Sequence, residues 1–536
     1  FKVLLTSFFT LDFYRTLRAG PSTSGRAETP AEIRLHVAET DEQSTGPFDP
    51  GDTAALFEVE KAPISLVEME PYFRRASYNR ADLLALVQGM DTETLDWEPA
   101  PGDFTIRRIL RHVGNADEWY LSRLVEPGTL PPAWENDDKM PLFEFLEMSR
   151  RTAIERFRKL TGEERARVAV PTHFTSNPTE QWTARKALRR MLEHEREHTA
   201  HIREVLARWR ARYLARLAAG RGYFLWQFVG LDEETLTTHP VFENWTPKDM
   251  LAHTGEWDEF HTDRMTKAAA GRGGELIEIK SAAFFAERNA EFHAAHQNLT
   301  VEQALDRCLS ARRSFLDALA EIPDPDLHRQ RAMPWGEQIS LPDWIKWRHI
   351  HDSAHGGEIR EWRKENAIRW APGPKAILLA VFRAARDEIL ALVSLIPEGE
   401  RAARLVCGEW TLKDVIGHLT DWELAGVERA RLALDGVTSP AMDDLTGDFE
   451  AWNKAHAAAR RPQPWEQVWA DFDATRRDLI SIVEQLTRED LERPFTTPWG
   501  KTVYEWLVIW PGHEREHAAG LWEELGLPKR MVFTLK

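Results

Sequence analysis

Residues 499–517 read WGKTVYEWLVIWPGHEREH, and the same grammar stands twice more in the chain. Thr502, Ser340 and Thr183 each precede by eleven residues the first member of a His-x-x-x-His pair: His513/His517, His351/His355 and His194/His198. Two pairs are spelled identically, HEREH, and Pro-Trp-Gly lies upstream of two, at Pro334 to Gly336 and Pro498 to Gly500. Positions four apart share one face of a helix, so each pair can aim two imidazoles at one point. A Ser or Thr at that distance upstream suits the N-cap, where its oxygen accepts a bond from an orphan amide.

Further upstream, each copy has an aromatic residue followed eight positions later by a single His: Phe104 to His112, Trp245 to His253 and Trp410 to His418. Thr105, Thr246-Pro247 and Thr411 between them are helix-start signals. Arg doublets (Arg150-Arg151, Arg312-Arg313, Arg476-Arg477) follow, inside patterns such as FLEMSRRTAIERFRKL whose apolar residues recur at three and four. A further helical pattern opens each copy near Tyr72, Arg212 and Lys375, which makes four helices per copy, enough to close a bundle. The expected fold is all-α: three tandem four-helix bundles at residues 66–211, 212–372 and 373–536, behind an N-terminal extension of residues 1–65. The GPSTSG and GPFDPGD stretches of that extension mark an arm. The first copy is about twenty residues shorter than the others between its lone His and its doublet.

Composition agrees with this division and excludes several functions. A chain of 536 residues exceeds one core, and 43% hydrophobic against 29% charged residues supports folded domains rather than disorder. A formal charge of −17 repels phosphate backbones and anionic headgroups, which argues against nucleic-acid and membrane partners. The Arg doublets, with acidic neighbours, read as solvated faces. Cys308 and Cys407 alone form neither a disulfide framework nor a thiolate metal site, as expected in a reducing cytoplasm. Phe1 to Phe13, interrupted by Lys2, Thr6, Thr10 and Asp12, reads as neither a membrane span nor, without a small-residue cleavage site, a signal peptide.

Nine of the 19 histidines occupy the three repeat positions, where core packing alone would accept Leu or Met at least once. We therefore read His112, His194 and His198; His253, His351 and His355; and His418, His513 and His517 as three facial trios for a divalent metal. Three imidazoles leave coordination positions open, as in catalytic zinc sites, and also suit nickel, copper and iron. Asn115, Glu256 and Asp421, three residues after each lone His, and His201 and Glu358, one turn after the last His, are candidates to orient a ligand or accept a proton. Gly520 holds that last position in the third copy. The carboxylates inside HEREH (Glu195, Glu197, Glu514, Glu516) lie off the metal face and read as solvated. His349 points away from the trio. His36, His173, His239, His261, His293, His296, His328 and His456 have solvated or locally hydrogen-bonded roles by default. Trp119, Trp182, Trp257, Trp335, Trp422 and Trp499 flank the motifs as core packing or as the roof of an apolar pocket.

The aromatic-Thr-x(6)-His and Thr/Ser-x(10)-His-x-x-x-His elements resemble the DinB/YfiT-like superfamily, in three consecutive copies. The resemblance implies up-down-down-up four-helix bundles with a divalent metal, commonly zinc or nickel, at each trio. It also implies activities such as S-transfer with a low-molecular-weight thiol (bacillithiol or mycothiol) or maleylpyruvate isomerisation. In such relatives the connection between the second and third helices helps to wall the pocket, so the shortened first copy should have the most open site. Many relatives have Gln one turn after the last His, where His201, Glu358 and Gly520 stand here, and most hold a single domain. Two functions follow as expectations: a metal-dependent S-transferase or hydrolase acting on a small molecule, or a non-catalytic metal-stapled scaffold or ligand binder. Relatives often pair, so the chain is expected as a monomer with internal domain packing or as a homodimer.

Overall fold

The computed structural model describes residues 2–5, 37–41, 55–125, 139–172, 179–279, 281–442 and 445–527. Among these are eighteen helices and a few two-stranded hairpins, which makes the chain all-α in tandem bundles. It divides into two compact units, one of Phe1–Gln88 with Thr92–Val205 and one of Gly89–Asp91 with Leu206–Lys536. His36 and His173 lie outside the described residues.

The first unit contains α1 (Leu66–Val87), α2 (Ile106–Ser122), α3 (Leu142–Lys159) and the first part of α4 (Ala184–Trp226). Ser65, Thr105 and Thr183 cap α1, α2 and α4, accepting from the amides of Glu68, Arg108 and Lys186 at 3.1 to 3.2 Å. The apolar stripes meet in a core of Phe73, Tyr120, Phe157, Trp182 and Leu188. Gly114 admits the Phe145 ring between α2 and α3, since a Cβ there would stand 2.3 Å from it. Lys2–Leu5 pairs antiparallel with Val37–Asp41. Residues 55–65 bury Phe57 and Ile64 in this unit, with Arg189 of α4 donating to Glu60 at 2.5 Å.

The second unit takes the rest of α4, then α5 (Pro247–Ala269), α6 (Ala282–His296), α7 (Val301–Ala320) and α8 (Pro342–Glu365). The third repeat follows as α9 (Lys375–Ser394), α10 (Leu412–Leu434), α11 (Phe449–Arg460), α12 (Trp465–Gln485) and α13 (Val503–Glu524). In that repeat α9 and α10 each pack against both α12 and α13, so the four long helices close a ring around one core. The extra residues of the second and third copies fold as α6 and α11. Thr246, Thr411 and Thr502 cap α5, α10 and α13 in reciprocal boxes with Asp249, Asp414 and Glu505. Ser340 departs from the expected cap: Leu341 occupies that position, and the Ser340 hydroxyl and amide bond to the Asp343 carboxylate instead. The two Pro-Trp-Gly segments turn short hairpins ahead of α8 and α13. Phe224, Phe228 and Ile359 of the second repeat share a core with Ile377, Val381 and Tyr504 of the third. No helix among the described residues is long and apolar enough to cross a membrane.

Candidate metal centres

Each trio converges. The Nε2 atoms of His253, His351 and His355 form a triangle with edges of 3.1, 3.2 and 3.2 Å. In the third repeat, His513 Nε2 lies 3.1 Å from His418 and 3.2 Å from His517; in the first, His194 Nε2 lies 2.9 Å from His112 and 3.1 Å from His198. Nitrogens bound at zinc–imidazole distances stand about 3.3 Å apart in a tetrahedral shell and about 3.0 Å apart in an octahedral one. All three edges of the second triangle, and the two edges through His194 and through His513 in the others, match such a length. Three mutually adjacent Nε2 atoms cannot all hydrogen-bond one another, since a neutral ring carries one proton, so a shared cation is the partner that fits. The trios could each hold a metal ion.

Burial favours the neutral, ligand-competent form in each trio. Burial, then His513 and His517 nearby, holds His418 down at about 3, and burial holds His513 and His198 at about 3. Burial likewise depresses His194, His253 and His351 well below the usual imidazole range. The aromatic eight residues before each lone His packs on its ring, with Trp245 and Trp410 meeting His253 and His418 edge-on at 5.3 and 5.2 Å. Phe104 stacks on His112 at 6.4 Å.

Exposure separates the copies. His253 and His418 are buried, whereas His112 is exposed. In the second repeat α6 lies beside the site: Trp257 donates to Asn289 at 3.0 Å, and His293 lies against Trp245 at 4.6 Å. In the third, α11 repeats the device, with Trp422 donating to Asn453 at 2.9 Å. The first repeat's connection includes residues 126–138, outside the described residues.

A model of one protein family, the DinB superfamily, matches residues 75–202, 216–359 and 382–520, one stretch per repeat and well over half of the chain. The chain belongs to the DinB superfamily. No curated protein and no solved structure matches it. The three matched segments of this DinB chain each contain a full trio and four long helical segments.

The residues proposed to assist the trios divide. Glu358 accepts from or donates to His355 Nδ1 at 2.6 Å, the contact that fixes a ligand imidazole with Nε2 toward the site. Glu256 is held by His296 and Arg307, and Asp421 Oδ1 by Arg460 at 2.8 Å, all groups on neighbouring helices. His201 lies beside His198, ring centroids 6.0 Å apart, and Asn115 is half-buried on α2. His349 is buried away from the trio, and His328 is fully buried against Trp209 rather than solvated.

Beneath each trio lies an ionic network that the sequence reading misplaced. The first Arg of each doublet is buried, not solvated, while its neighbour is exposed. Glu195 and Glu514, immediately after the first His of their pairs, are likewise buried; Glu197 pairs with Arg190 at 3.0 Å, and Glu516 is exposed. In the first bundle Arg80 and Arg150 bind Asp117 and Glu195. In the second, Arg221 and Arg312 bind Asp258 and Asp352, and in the third Arg386 and Arg476 bind Glu423 and Glu514. Each of the four helices of a bundle contributes one residue. The arginines also cross-link reciprocally: Arg386 donates to the Phe472 carbonyl, four residues before Arg476, and Arg476 to the Phe382 carbonyl, four before Arg386. Arg80 with Arg150, and Arg221 with Arg312, do the same. The acids sit five residues after each lone His and one after the first His of each pair, so aligning charges across the repeats as the histidines were aligned would have exposed them.

Proposed function

We propose that this chain binds divalent metal at its three trios and acts as a metal-dependent enzyme of the S-transferase or hydrolase kind on a small molecule. The convergence of three imidazole nitrogens in every repeat carries this reading. A bound ion would act as a Lewis acid that makes a thiol or water anionic near neutral pH. His418, His513 and His517 would hold it in the third bundle. Trp410 packs on the site from one side, and Trp422 lies 6.3 Å from His418 and 6.2 Å from His513. A cavity of about 610 Å³ reaches His513, which gives a substrate room beside the site and favours an enzyme over a stapled scaffold.

Elemental analysis after loading with zinc or nickel, paired with turnover of electrophiles in the presence of a panel of low-molecular-weight thiols, tests the reading. Close to three ions per chain and metal-dependent turnover are expected. Fewer than one ion per chain would overturn the metal assignment, and full loading without thiol binding or turnover would return the trios to a structural role.

A further inference from the structure

The cavity beside His513 is built from two repeats. Trp226, at the end of α4, and Trp370, in the connection to α9, face Trp422, Phe449 and Trp499 of the third repeat across it. Trp370, Phe449 and Trp499 are 42%, 44% and 39% exposed, so three large aromatics of this one cavity remain open to a ligand. The wall is closely fitted. A Cβ on Gly230 would stand 2.3 Å from the Trp370 indole, and one on Gly512 would stand 3.2 Å from that of Trp226. Gly230 has φ +76°, a conformation that glycine adopts without strain, so the Trp370 seat depends on it twice.

The charge of the lining is one-sided. Its ionisable groups among the described residues are His513, Glu505 and Glu516, with no Lys or Arg. Glu505 is engaged in the α13 cap, accepting from the Thr502 amide at 3.2 Å. Glu516 stands one turn from His513 on the same helix and is exposed. Arg515, whose guanidinium lies over the Trp226 ring, is itself buried and ion-paired with Glu388 at 3.7 Å. Away from the trio, where a bound metal would be the one cation, a ligand carboxylate, sulfonate or phosphate would therefore meet carboxylate and indole.

We propose that the third site takes a planar aromatic or fused-ring substrate whose ring portion bears no anionic group, with its rings between the indoles of two repeats and its reacting end at His513. The placement of that reacting end rests on the metal-enzyme reading; the ligand class rests on the cavity.

The test compares N-phenyl-1-naphthylamine with its sulfonated analogue, 8-anilinonaphthalene-1-sulfonate, by fluorescence titration of the full chain, chelator-stripped and zinc-loaded. In the stripped chain the neutral dye should bind at least tenfold tighter than the sulfonate. Trp370→Ala and Trp499→Ala should each weaken the neutral dye at least fivefold while helical ellipticity is retained, and Glu516→Gln should narrow the gap by raising sulfonate affinity. Equal or tighter sulfonate binding, or neutral-dye binding unchanged in both Trp variants, would overturn the proposal. Zinc uptake is measured on the same samples. Dye preference without zinc uptake would overturn the metal reading and leave the pocket, whereas zinc uptake without dye preference would overturn the pocket alone.

Discussion

Asp258→Asn should be among the most damaging single isosteric changes in the second unit. The Asp258 carboxylate is fully buried and accepts from Arg221 at 2.7 Å, from Arg312 at 2.9 and 3.1 Å and from Arg348 at 2.8 Å. Burial alone would raise its pKa, but Arg312, Arg348 and Arg221 together hold it well below the usual carboxylate range. Asn keeps the shape and removes the charge, and it turns one acceptor into a donor facing guanidinium N–H groups. Arg221 and Arg312 would then be left with Asp352, and Arg348 would lose its ion pair. Removing one partner of a buried ionic group costs about 3 to 5 kcal/mol, because the remaining charges stay desolvated. The half-exposed pair Arg383–Glu484, at 3.0 Å, gives the contrast, since such pairs contribute under about 1 kcal/mol. Urea unfolding followed by far-ultraviolet ellipticity, with Asp258→Asn and Glu484→Gln compared in the full chain, reads the difference. A loss for Asp258→Asn no larger than that for Glu484→Gln would refute the reasoning.

His418→Ala should reduce the metal content by about one ion per chain at unchanged helical ellipticity, since the apolar core around α10 remains; loss of helicity together with the metal would mark the site as a staple. Glu358→Gln should weaken the second site about tenfold or more by loosening His355, while the third site is unaffected, as isothermal titration of site-restricted variants would show. Acid should destabilise the second unit through His328, which burial holds down at about 4 against the opposing pull of Asp91 and Asp324. The neutral ring is the folded form, so this stabilisation is full above pH 6.5, the ordinary imidazole value, and is lost as the pH falls from there to 4. The loss amounts to about 3 kcal/mol and should be absent in His328→Leu when unfolding midpoints are compared across that window.

The histidine trios were legible because they use the helical period within one element and a fixed interval between elements. Thr246 and Asp249, or Thr502 and Glu505, were equally legible, since a cap is a local device. The burial of Arg312 was not. On its own helix it stands beside exposed Arg313 among polar neighbours, and its partners Asp258 and Asp352 lie on two other helices. Amphipathicity reports whether a residue is apolar, not whether a charge has a partner waiting in the core. Glu514 failed for the same reason: a quarter turn from His513, it faces Arg386 and Arg476 rather than water. The pocket aromatics Trp226 and Trp370 were missed because they belong to one repeat and serve another.

The ionic networks also limit how freely the copies can be exchanged. Three residues before the first His of each pair stand Met191, Arg348 and Trp510. The second bundle uses two short Asp side chains and adds the Arg348 guanidinium, whereas the third uses two longer Glu side chains and Trp510. A chimera carrying α8 in place of α13 would offer Arg386 and Arg476 a carboxylate one methylene short. It would also bring a third guanidinium to a network whose other acid, Glu423, is already shared by two. Copies that look interchangeable in their histidines are therefore matched sets beneath them, in which an acid can change length only if its neighbours change with it.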